Sequence, residues 1–440
     1  NILCATFTNK AAGEMRQRIR ALTGDEDTGY VNTFHGFCVR LLKEDCHVVQ
    51  YPSTFIVLDE EDKASILRTV FEDLGITSRD MTIQDAVDYI GWRKGGRGYV
   101  KTLIGSAEKL LELSNSASTL KDKVMYRYFY EQRKCYGLDF DDLVYFALYI
   151  LEHSREVREK WQQRLEYIMV DEFQDSNEVQ DGIFQCLTCQ KHNCFMVGDV
   201  KQSIYQFRLA DPEIFLNKFL AFPDAANAIE GEGRKVLLSM NFRSSHGVIE
   251  GVNHICKLCM SPQVGGIAYT EREQLYAGRP HTDCGEPDVS FYAIDVVQDT
   301  YQEEATFVAN KILELTDGDH YIPDKNGKRP ITLDDIAIIL RSPGSVGMEF
   351  VSALHKCGIP SYIGKGTNLL MEEEVATLRS FLQTISNPQL DIPLLAVLTS
   401  RIFSFSAADL ADIRADNRLI SIFDSLCNST LPKARDVVEK

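Results

Sequence analysis

The sequence lacks the features that place a protein in a membrane or outside the cell. No apolar run among the 440 residues is long enough to span a bilayer, and we find no signal-peptide pattern. The twelve cysteines have irregular spacings that form no disulfide framework, which is typical of a reducing compartment. We therefore expect a bacterial cytoplasmic protein with no membrane partner.

Positive charge is also scarce. The chain has 47 lysines and arginines against 64 aspartates and glutamates, which gives a net charge of −17. This balance argues against a protein that coats nucleic acid through bulk positive charge. It leaves open a groove lined locally with hydrogen-bond donors and aromatic rings.

A third absence is the motif G-x-x-x-x-G-K-[ST], which occurs nowhere in the 440 residues. Such a loop supplies backbone amides and a lysine to bound phosphates, and a hydroxyl to Mg²⁺. The length predicts two or three domains. Because the chain begins at Asn1, without methionine and inside a predicted strand, we expect it to be a fragment of a longer protein.

Two short apolar runs between residues 165 and 212 each end in acidic residues. Asp171 and Glu172 follow the first run directly, and Gly198 and Asp199 follow the second. Such runs predict buried strands of a parallel sheet, whose ligands bind beyond the carboxyl ends of the strands. We therefore expect the three carboxylates to lie along one crevice.

Adjacent carboxylates at a strand end have a specific use in phosphate chemistry. One can hold Mg²⁺, which takes few protein carboxylates and keeps several waters. The other can orient and deprotonate an attacking water. The alternative is structural, since acidic residues often cap the helix that follows a strand.

Two strings in this stretch are long and specific. VDEFQDSN at residues 170–177 and VGDVKQSIYQFR at residues 197–208 resemble motifs II and III of superfamily 1 helicases of the UvrD/Rep type. The second string is similar to that of AddA-type helicase–nuclease subunits. The resemblance implies an α/β fold with two RecA-like parallel-sheet P-loop NTPase domains and helical insertions, truncated at both ends. It also implies ATP and Mg²⁺ as cofactors.

The resemblance assigns roles within these two motifs. It implies that Asp171 holds Mg²⁺ and that Glu172 activates water. Gln202 would sense the γ-phosphate of the nucleotide and couple it to movement. The other residues would hold DNA, because stacking on bases ignores sequence; they are Tyr205, Phe207 and Arg208.

Two strings nearer the start, FTNKAAGEMRQRI and VNTFHGFCVRLL, resemble motifs Ia and Ib of the same family. The first implies that Phe7 lies against a DNA base and that Thr8 and Asn9 contact phosphate. The second implies that Thr33 and His35 contact the DNA backbone. Without the resemblance, Thr8 and Asn9 suit a helix cap, and His35 suits a cap or a core histidine.

The string VLLSMNFRSS at residues 236–245 predicts a strand followed by a segment that resembles motif IV. The resemblance implies that Phe242 stacks on adenine and that Arg243 reaches the γ-phosphate from a second domain. An arginine supplied across a cleft can stabilise charge on the transferring phosphoryl group. Residues 331–341 predict a further strand of that domain.

These patterns predict five segments. Residues 1–58 and 136–232 form the first RecA-like domain, and residues 59–135 form a helical insertion within it. Residues 233–373 belong to the second RecA-like domain, and residues 374–440 start its helical insertion.

Three further features carry open alternatives. Residues 91–99 are basic, aromatic and glycine-rich, which fits either a site for a phosphate backbone or a solvated loop. The string LDFDDLVYF predicts a capped amphipathic helix whose aspartates have no assigned chemistry. The CxxC pairs Cys186/Cys189 and Cys256/Cys259 are interpreted as buried free thiols in preference to a zinc site.

The resemblance implies an ATP-dependent 3′–5′ DNA helicase or single-stranded DNA translocase, and favours an AddA-like subunit of a recombination and repair helicase–nuclease. Its partners would be single-stranded and duplex DNA and a second subunit of AddB type. A stand-alone UvrD/PcrA-type repair helicase is one alternative. The others are a P-loop ATPase that does not act on DNA and a catalytically silent DNA-binding or scaffold subunit.

The resemblance also places the missing elements. The phosphate-binding loop would lie upstream of Asn1. Motifs V and VI, and any nuclease with iron–sulfur cysteines, would lie beyond Lys440. We therefore expect the 440-residue polypeptide to bind ATP weakly and to hydrolyse almost none.

Overall fold

The computed structural model describes residues 1–24, 29–188, 193–206, 210–264, 266–282, 284–285, 287–295, 300–324, 327–364, 372–415 and 420–439. These residues form two compact units. The first unit comprises Asn1–Asn241 and Val252–Tyr276, and the second comprises Phe242–Gly251 and Ala277–Lys440. No helix in the described ranges is both long and apolar enough to cross a membrane.

The strands are short. They are β1 (Ile2–Thr6), β2 (Tyr30–Thr33), β3 (Ile56–Val57), β4 (Gly137–Leu138), β5 (Tyr167–Val170), β6 (Cys194–Met196), β7 (Met240–Asn241), β8 (Tyr276–Ala277), β9 (Tyr321–Asp324) and β10 (Gly327–Pro330).

Helices account for most of the ordered secondary structure. Those of the first half are α1 (Asn9–Thr23), α2 (Phe34–Asp45), α3 (Glu60–Leu74), α4 (Ile83–Lys94), α5 (Tyr99–Leu103), α6 (Ala107–Ser116), α7 (Leu120–Lys134), α8 (Phe140–His153), α9 (Arg155–Arg164), α10 (Glu178–Leu187) and α11 (Pro212–Ala221). Those that follow are α12 (His246–Cys259), α13 (Thr300–Leu315), α14 (Pro343–Lys356), α15 (Glu373–Ser386), α16 (Asp391–Thr399), α17 (Ala407–Ala415), α18 (Ile422–Cys427) and α19 (Pro432–Glu439). The 3-10 helices are Cys46–Val49, Phe173–Asp175, Val200–Gln202 and Leu333–Asp335.

The first unit is organised around a parallel sheet with strand order β2-β1-β5-β6. Thr6 pairs with Thr33, Ala5 pairs with Val170, and Val170 pairs with Met196, so all four strands end at the same edge. The strands predicted at the start of the chain and before Asp171 are therefore confirmed.

Burial of the sheet differs from the prediction. Leu3, Ala5, Ile168 and Val170 are buried in a core with residues of α2, α8 and α10. The alternate side chains of β5 and β6 remain largely exposed among the described residues, including Phe195 at 59%. The prediction that these two strands are buried is therefore wrong for one of their faces among the described residues, where Tyr167, Met169 and Phe195 are exposed.

Helices α3 to α7 lie within residues 59–135, the range for which a helical insertion is predicted. Asp59 begins α3 with a capping box, in which its side chain accepts from the backbone N–H of Asp62 and the Asp62 side chain accepts in return. One apolar stripe of α3 points inward, with Leu67 and Val70 fully buried. The spacing of these apolar residues explains the helix, since positions three and four apart share a face.

Lys94, at the end of α4, behaves unlike either alternative for residues 91–99. Its side chain is 1% exposed, and its Nζ donates to Asp139 Oδ2 at 2.7 Å and to Asp142 Oδ2 at 2.9 Å. The two aspartates form the predicted capping box of α8, and Asp142 also accepts from the Tyr99 hydroxyl. A phosphate site and a solvated loop are both wrong for Lys94, because this buried ion group joins α4 to α8.

The second unit contains helices and an antiparallel hairpin of β9 and β10. Its described residues have two small apolar cores, one around Phe350 and one around Leu398. Of the strand predicted within residues 236–245, only the two-residue β7 at Met240–Asn241 forms, and residues 331–341 hold a 3-10 helix and irregular segments in the described chain. The prediction for residues 331–341 is wrong because an apolar run becomes a strand only beside a partner, and here Ile339 is 93% exposed.

Every described cysteine is a free thiol. Cys186 and Cys256 are half-buried and Cys259 is exposed, so the prediction of buried thiols is wrong for Cys259, and Cys189 lies outside the described residues. Within the described ranges, no cluster of three or more histidine, cysteine or acidic side chains could hold a metal ion.

Candidate functional site at the carboxyl edge of the sheet

The predicted polar residues converge at the carboxyl edge of the first sheet. Asp171 follows β5 and its backbone N–H donates to the Ala5 carbonyl of β1 at 3.0 Å. The backbone N–H of Phe173 donates to the carbonyl of Val197, just beyond β6, at 2.9 Å. These bonds place Asp171, Glu172 and Asp199 along one edge, as the sequence predicts.

Glu172 adopts an unusual backbone conformation. Its φ of 55° and ψ of 40° lie in the left-handed region, which costs free energy for a residue with a Cβ atom. Asp171 beside it is half-buried. Burial, and secondarily the charge of Glu172, raise the pKa of Asp171 above its ordinary value. Two adjacent carboxylates are thus held close together at a strained turn.

This pair fits a hard divalent cation. Mg²⁺ prefers oxygen ligands and usually takes only one or two protein carboxylates. Among the described residues, neither Asp171 nor Glu172 forms an ion pair with a lysine or arginine, so their mutual repulsion has no internal counter-charge. The Oδ1 atom of Asp175 nearby is buried and accepts no hydrogen bond from the described atoms.

Gln174 joins the turn after β5 to the turn after β6. Its side chain is 0% exposed, its Nε2 donates to Glu172 Oε2 at 2.7 Å, and its Oε1 accepts from the backbone N–H of Asp199 at 3.0 Å. Sequence reasoning missed this residue. The feature of the sequence that could have indicated Gln174 is its position in VDEFQDSN, two residues after Glu172.

Gly198 permits the close approach of these two turns. A Cβ atom at this position would lie 2.6 Å from Gln174 Oε1 and 3.2 Å from the backbone nitrogen of Gln174. Any larger side chain would force the turns apart.

Asp175 makes a second connection to the turn after β6. Burial and the charge of Glu172 raise the pKa of Asp175, and hydrogen bonds from the backbones of Tyr205 and Ile204 oppose that rise. Beyond it, the Ser176 carbonyl accepts from the backbone N–H of Asp211 at 2.9 Å. Gln174 and Ser176, which follow β5, therefore accept hydrogen bonds from Asp199 and Asp211, which follow β6.

The turn after β6 contains the predicted sensor. The Lys201 Nζ lies 2.7 Å from Asp199 Oδ1, and the Gln202 Nε2 donates to Asp199 Oδ2 at 3.0 Å. Gln202 is exposed and Tyr205 is half-buried. The other two predicted DNA-binding positions of this motif, Phe207 and Arg208, lie outside the described residues.

The ends of β1 and β2 carry the other predicted DNA contacts. The Thr8 Oγ1 accepts from the Ala11 backbone N–H at 3.1 Å, and the Thr33 Oγ1 accepts from the Gly36 backbone N–H at 3.2 Å. Both threonines are therefore helix caps, and each hydroxyl keeps a proton that can be donated to a phosphate. Asn9 is exposed in the first turn of α1, where backbone N–H groups favour anions.

Phe7 and His35 are half-buried at the same edge. The His35 ring makes edge contacts with Phe34 and Phe140, with centroids 6.2 and 5.8 Å away. Burial lowers the pKa of His35, although the carboxylate of Asp141 opposes the shift, so a neutral ring is favoured at pH 7. A neutral imidazole can donate one hydrogen bond to a phosphate oxygen.

Phe242 and Arg243 belong to the second unit and are described there. The Phe242 ring is 66% exposed and lies against Gly278, where an added Cβ would be 2.5 Å from Phe242 Cε1. The carbonyl of Arg243 accepts from the Arg279 guanidinium at 3.2 Å. An exposed aromatic ring beside an arginine suits the stacking and phosphate roles that the sequence predicts for them.

Comparison with known proteins links both units to one group. Residues 1–223 match the UvrD/REP helicase N-terminal domain family, and residues 236–436 match the UvrD-like helicase C-terminal domain.

The chain is also similar to curated proteins that are each named as the A subunit of an ATP-dependent helicase/nuclease. The relative from Alkaliphilus metalliredigens (strain QYMF) is 36% identical over 302 residues, which cover 66% of this chain and 25% of the relative. The relative from Ruminiclostridium cellulolyticum is 35% identical over 376 residues, covering 71% and 29%. The relative from Carboxydothermus hydrogenoformans is 34% identical over 371 residues, covering 78% and 30%. The chain thus spans 25 to 30% of the length of these relatives.

Proposed function

Because the chain belongs to the UvrD/REP helicase family, we propose that it supplies the nucleotide-hydrolysing and DNA-holding core of an ATP-dependent helicase that moves 3′ to 5′ along single-stranded DNA. The observation that carries this proposal is the convergence of Asp171, Glu172 and Asp199 with the ends of β1 and β2 at one sheet edge. One edge can then serve both a nucleotide and a DNA backbone.

The relatives' names favour a narrower form of the proposal. They describe one component of a helicase/nuclease, so we place this chain in the AddA-type component of such an assembly. Its partners would be single-stranded and duplex DNA and a second subunit of AddB type, in the bacterial cytoplasm. We keep the proposed domains at residues 1–58 and 136–232, with an insertion at 59–135, and at 233–373, with a second insertion starting at 374.

We assign different roles to Asp171 and Glu172. A bound Mg²⁺ would neutralise the negative charge that develops on the phosphate oxygens during phosphoryl transfer. Asp171 would hold that ion, since its carboxylate has no internal cation among the described residues and its pKa is raised by burial and by Glu172. Glu172 would accept the proton of the attacking water, with its carboxylate oriented by Gln174.

The remaining nucleotide contacts come from two places. Gln202, exposed and hydrogen-bonded only at Asp199 among its described side-chain contacts, would contact the γ-phosphate. Phe242 would stack on adenine and Arg243 would reach the γ-phosphate from the second unit. ATP binding would then bias the equilibrium between open and closed arrangements, which gives stepping.

DNA would be held at the neighbouring strand ends. Phe7 and Tyr205 would stack on bases, and the hydroxyls of Thr8 and Thr33 would donate to phosphates together with His35. Asn9, Phe207 and Arg208 complete the proposed set. Contacts of this kind ignore sequence, which suits a translocase.

The experiment measures ATP hydrolysis by the product of the complete reading frame that encodes this chain, with and without single-stranded DNA. We expect hydrolysis that rises with DNA, and strand displacement from substrates with a 3′ tail but not a 5′ tail. Phe7→Ala should weaken single-stranded DNA binding by about 1–3 kcal/mol, since one stacked base is lost. Tyr301→Ala, an exposed aromatic of α13 to which no DNA contact is assigned, is the control.

Each alternative predicts a different result in that assay. Hydrolysis indifferent to DNA would favour an ATPase that does not act on DNA. Absence of hydrolysis would favour a silent scaffold subunit. Full unwinding with neither nuclease activity nor a second subunit would favour a stand-alone repair helicase of the UvrD/PcrA type.

A further inference from the structure

We infer that Gln174 is a positioning residue that couples the carboxylate of Glu172 to the turn at residues 199–205, through the two ends of its buried side-chain amide. The inference rests on the proposed function, because it concerns how hydrolysis and DNA contact communicate. It adds a residue that neither binds the nucleotide nor contacts DNA itself.

The amide can be satisfied in one orientation only. Its NH₂ group faces an acceptor, Glu172 Oε2 at 2.7 Å, and its oxygen faces a donor, the Asp199 backbone N–H at 3.0 Å. A rotated amide would place oxygen against carboxylate and NH₂ against N–H, and both contacts would be repulsive. Because Gln174 is fully buried, water cannot compensate for either lost bond.

The surroundings leave little room for adjustment. Gly198 lies so close that an added Cβ would be 2.6 Å from Gln174 Oε1. The backbone bond from Phe173 to Val197, at 2.9 Å, fixes the two chains beside it. A reorientation of Glu172 must therefore either move Asp199 or break the hydrogen bond that the buried Gln174 side chain donates to the Glu172 carboxylate.

The segment that Gln174 holds carries both kinds of proposed contact. Gln174 accepts from the Asp199 backbone N–H at 3.0 Å, and residues 199–205 include Gln202, the proposed γ-phosphate contact, and Tyr205, a proposed base contact. At the other end of this segment, the backbones of Ile204 and Tyr205 act to lower the pKa of Asp175. A shift of Gln174 would therefore act on a segment with one nucleotide-facing and one DNA-facing residue.

The test exchanges the amide for a group of the same shape. In Gln174→Glu the new side chain still accepts from the Asp199 N–H but, when ionised, repels Glu172. Titratable or charged groups near it are Glu172, Asp171, Asp175, Asp199 and Lys201. Once protonated, the introduced carboxyl donates its O–H to Glu172 and reproduces both bonds of the amide.

The measured quantity is the ratio of the ATPase kcat with single-stranded DNA to the kcat without it, in the product of the complete reading frame. At pH 8 we expect the DNA-stimulated kcat of Gln174→Glu to fall about tenfold, since a hydrogen bond to a charged group is lost. The stimulation ratio should fall towards one. Between pH 8 and about pH 6 both values should recover relative to wild type, because burial and a like charge raise a carboxyl pKa.

Two further variants separate positioning from folding. Gln180→Glu is the matched control, because Gln180 accepts from the Asn177 N–H in a capping box that glutamate serves equally well. It should behave as wild type at every pH. Gln174→Met fills the space without either hydrogen bond, so its stimulation ratio should fall and should not recover at low pH.

Each outcome either supports the inference or overturns it. A DNA-stimulation ratio of kcat that is low in both Gln174 variants, and that recovers at low pH only in Gln174→Glu, supports the inference. Wild-type ratios, or equal losses with and without DNA and no acid recovery, would overturn it while leaving the helicase proposal intact. If the glutamate variant does not fold, the methionine ratio decides alone. A wild-type protein without DNA-stimulated hydrolysis would overturn both proposals.

Discussion

Two acidic pairs in the first unit resemble each other in sequence and differ in environment. Asp139 and Asp142 precede and begin α8, and they enclose the ammonium of Lys94 in the protein interior. Asp171 and Glu172 follow β5 at the open edge of the sheet, with no ion pair to a described lysine or arginine. One lysine is paired with both carboxylates of Asp139 and Asp142, called the closed pair here, whereas Asp171 and Glu172, the open pair, have no described lysine or arginine partner.

The pKa values separate Asp139 from the other two aspartates. Although burial opposes it, Lys94 lowers the pKa of Asp139. Burial raises the pKa of Asp142 to about 6, and burial with the neighbouring Glu172 raises the pKa of Asp171, so the two pairs differ in their partners more than in their pKa values. The comparison teaches that carboxylates become available for chemistry where the fold supplies no cation of its own. Acidic residues before a helix are common, so this difference in partners is what separates a cap from a candidate site.

The largest expected effect comes from the proposed base. Glu172→Gln should lower DNA-stimulated ATP hydrolysis by about 10²–10⁴-fold, because a general base contributes that much. DNA binding measured by fluorescence anisotropy should be retained. Glu178→Gln, an exposed first-turn residue of α10, is the control and should keep full activity. A Glu172 variant with near-normal turnover would show that the open pair is not catalytic.

The next effect concerns the closed pair. Lys94→Met should destabilise the first unit by about 3–5 kcal/mol, because it leaves two buried carboxylates without their cation. Urea unfolding monitored by circular dichroism measures the change. Arg93→Met is the neighbouring control: its contact with Asp122 is partly exposed and 4.0 Å long, so about 0–1 kcal/mol is expected. Equal losses in the two variants would contradict the contrast.

A smaller effect is expected where the two turns of the site meet. Gly198→Ala should destabilise the protein by about 1–3 kcal/mol, because its Cβ overlaps Gln174. Gly91→Ala is the control, since nothing lies within 4 Å of its added Cβ in helix α4, and it should stabilise by about 0.5–1 kcal/mol. Thermal unfolding distinguishes the opposite signs. A neutral Gly198→Ala would show that the turns have room to separate.

The smallest expected effect is on the pH dependence of protein stability, measured in the absence of nucleotide, and comes from Asp171 of the open pair. The pKa of Asp171 is raised in the folded protein, so the folded state binds its proton at a higher pH than the unfolded chain. The contribution of Asp171 to the free energy of unfolding therefore increases as the pH falls from above its raised pKa towards its ordinary value of 3.8. Asp171→Asn should remove this increase and stabilise the protein at pH 7 by no more than about 1 kcal/mol.

Asp139→Asn is the matched substitution in the closed pair and should have the opposite sign at pH 7. Its carboxylate is bound to Lys94 in the folded state, which lowers its pKa and stabilises the fold above the unfolded value. Unfolding curves at pH 7 and pH 5 compare the two variants. If both aspartate variants destabilise equally, the pairs do not differ as described.

Local pattern was sufficient for part of this structure. The apolar run before Asp171 predicts β5, and its acidic end predicts the site edge, because both depend on neighbouring residues only. The left-handed backbone of Glu172 was not predictable, since a non-glycine residue enters that region only when the surrounding fold requires it.

Other features depend on residues far apart in sequence. Lys94 is buried because α4 meets α8 across 45 residues, and no local pattern reveals that contact. Gln174 reaches Asp199 across 25 residues and was missed for the same reason. The apolar stretch at residues 331–341 satisfies the pattern of a strand, yet none forms there in the described chain because pairing is a tertiary event.

Strand β6 has a practical consequence for handling the protein. It is the last strand of the described sheet, so its outer backbone groups have no described strand beside them, and Phe195 is largely exposed. A bare strand of this kind templates pairing with a second molecule and promotes aggregation. Self-association that grows with concentration is therefore expected in purified samples, and a lysine in place of Phe195 offers a simple way to keep them monodisperse.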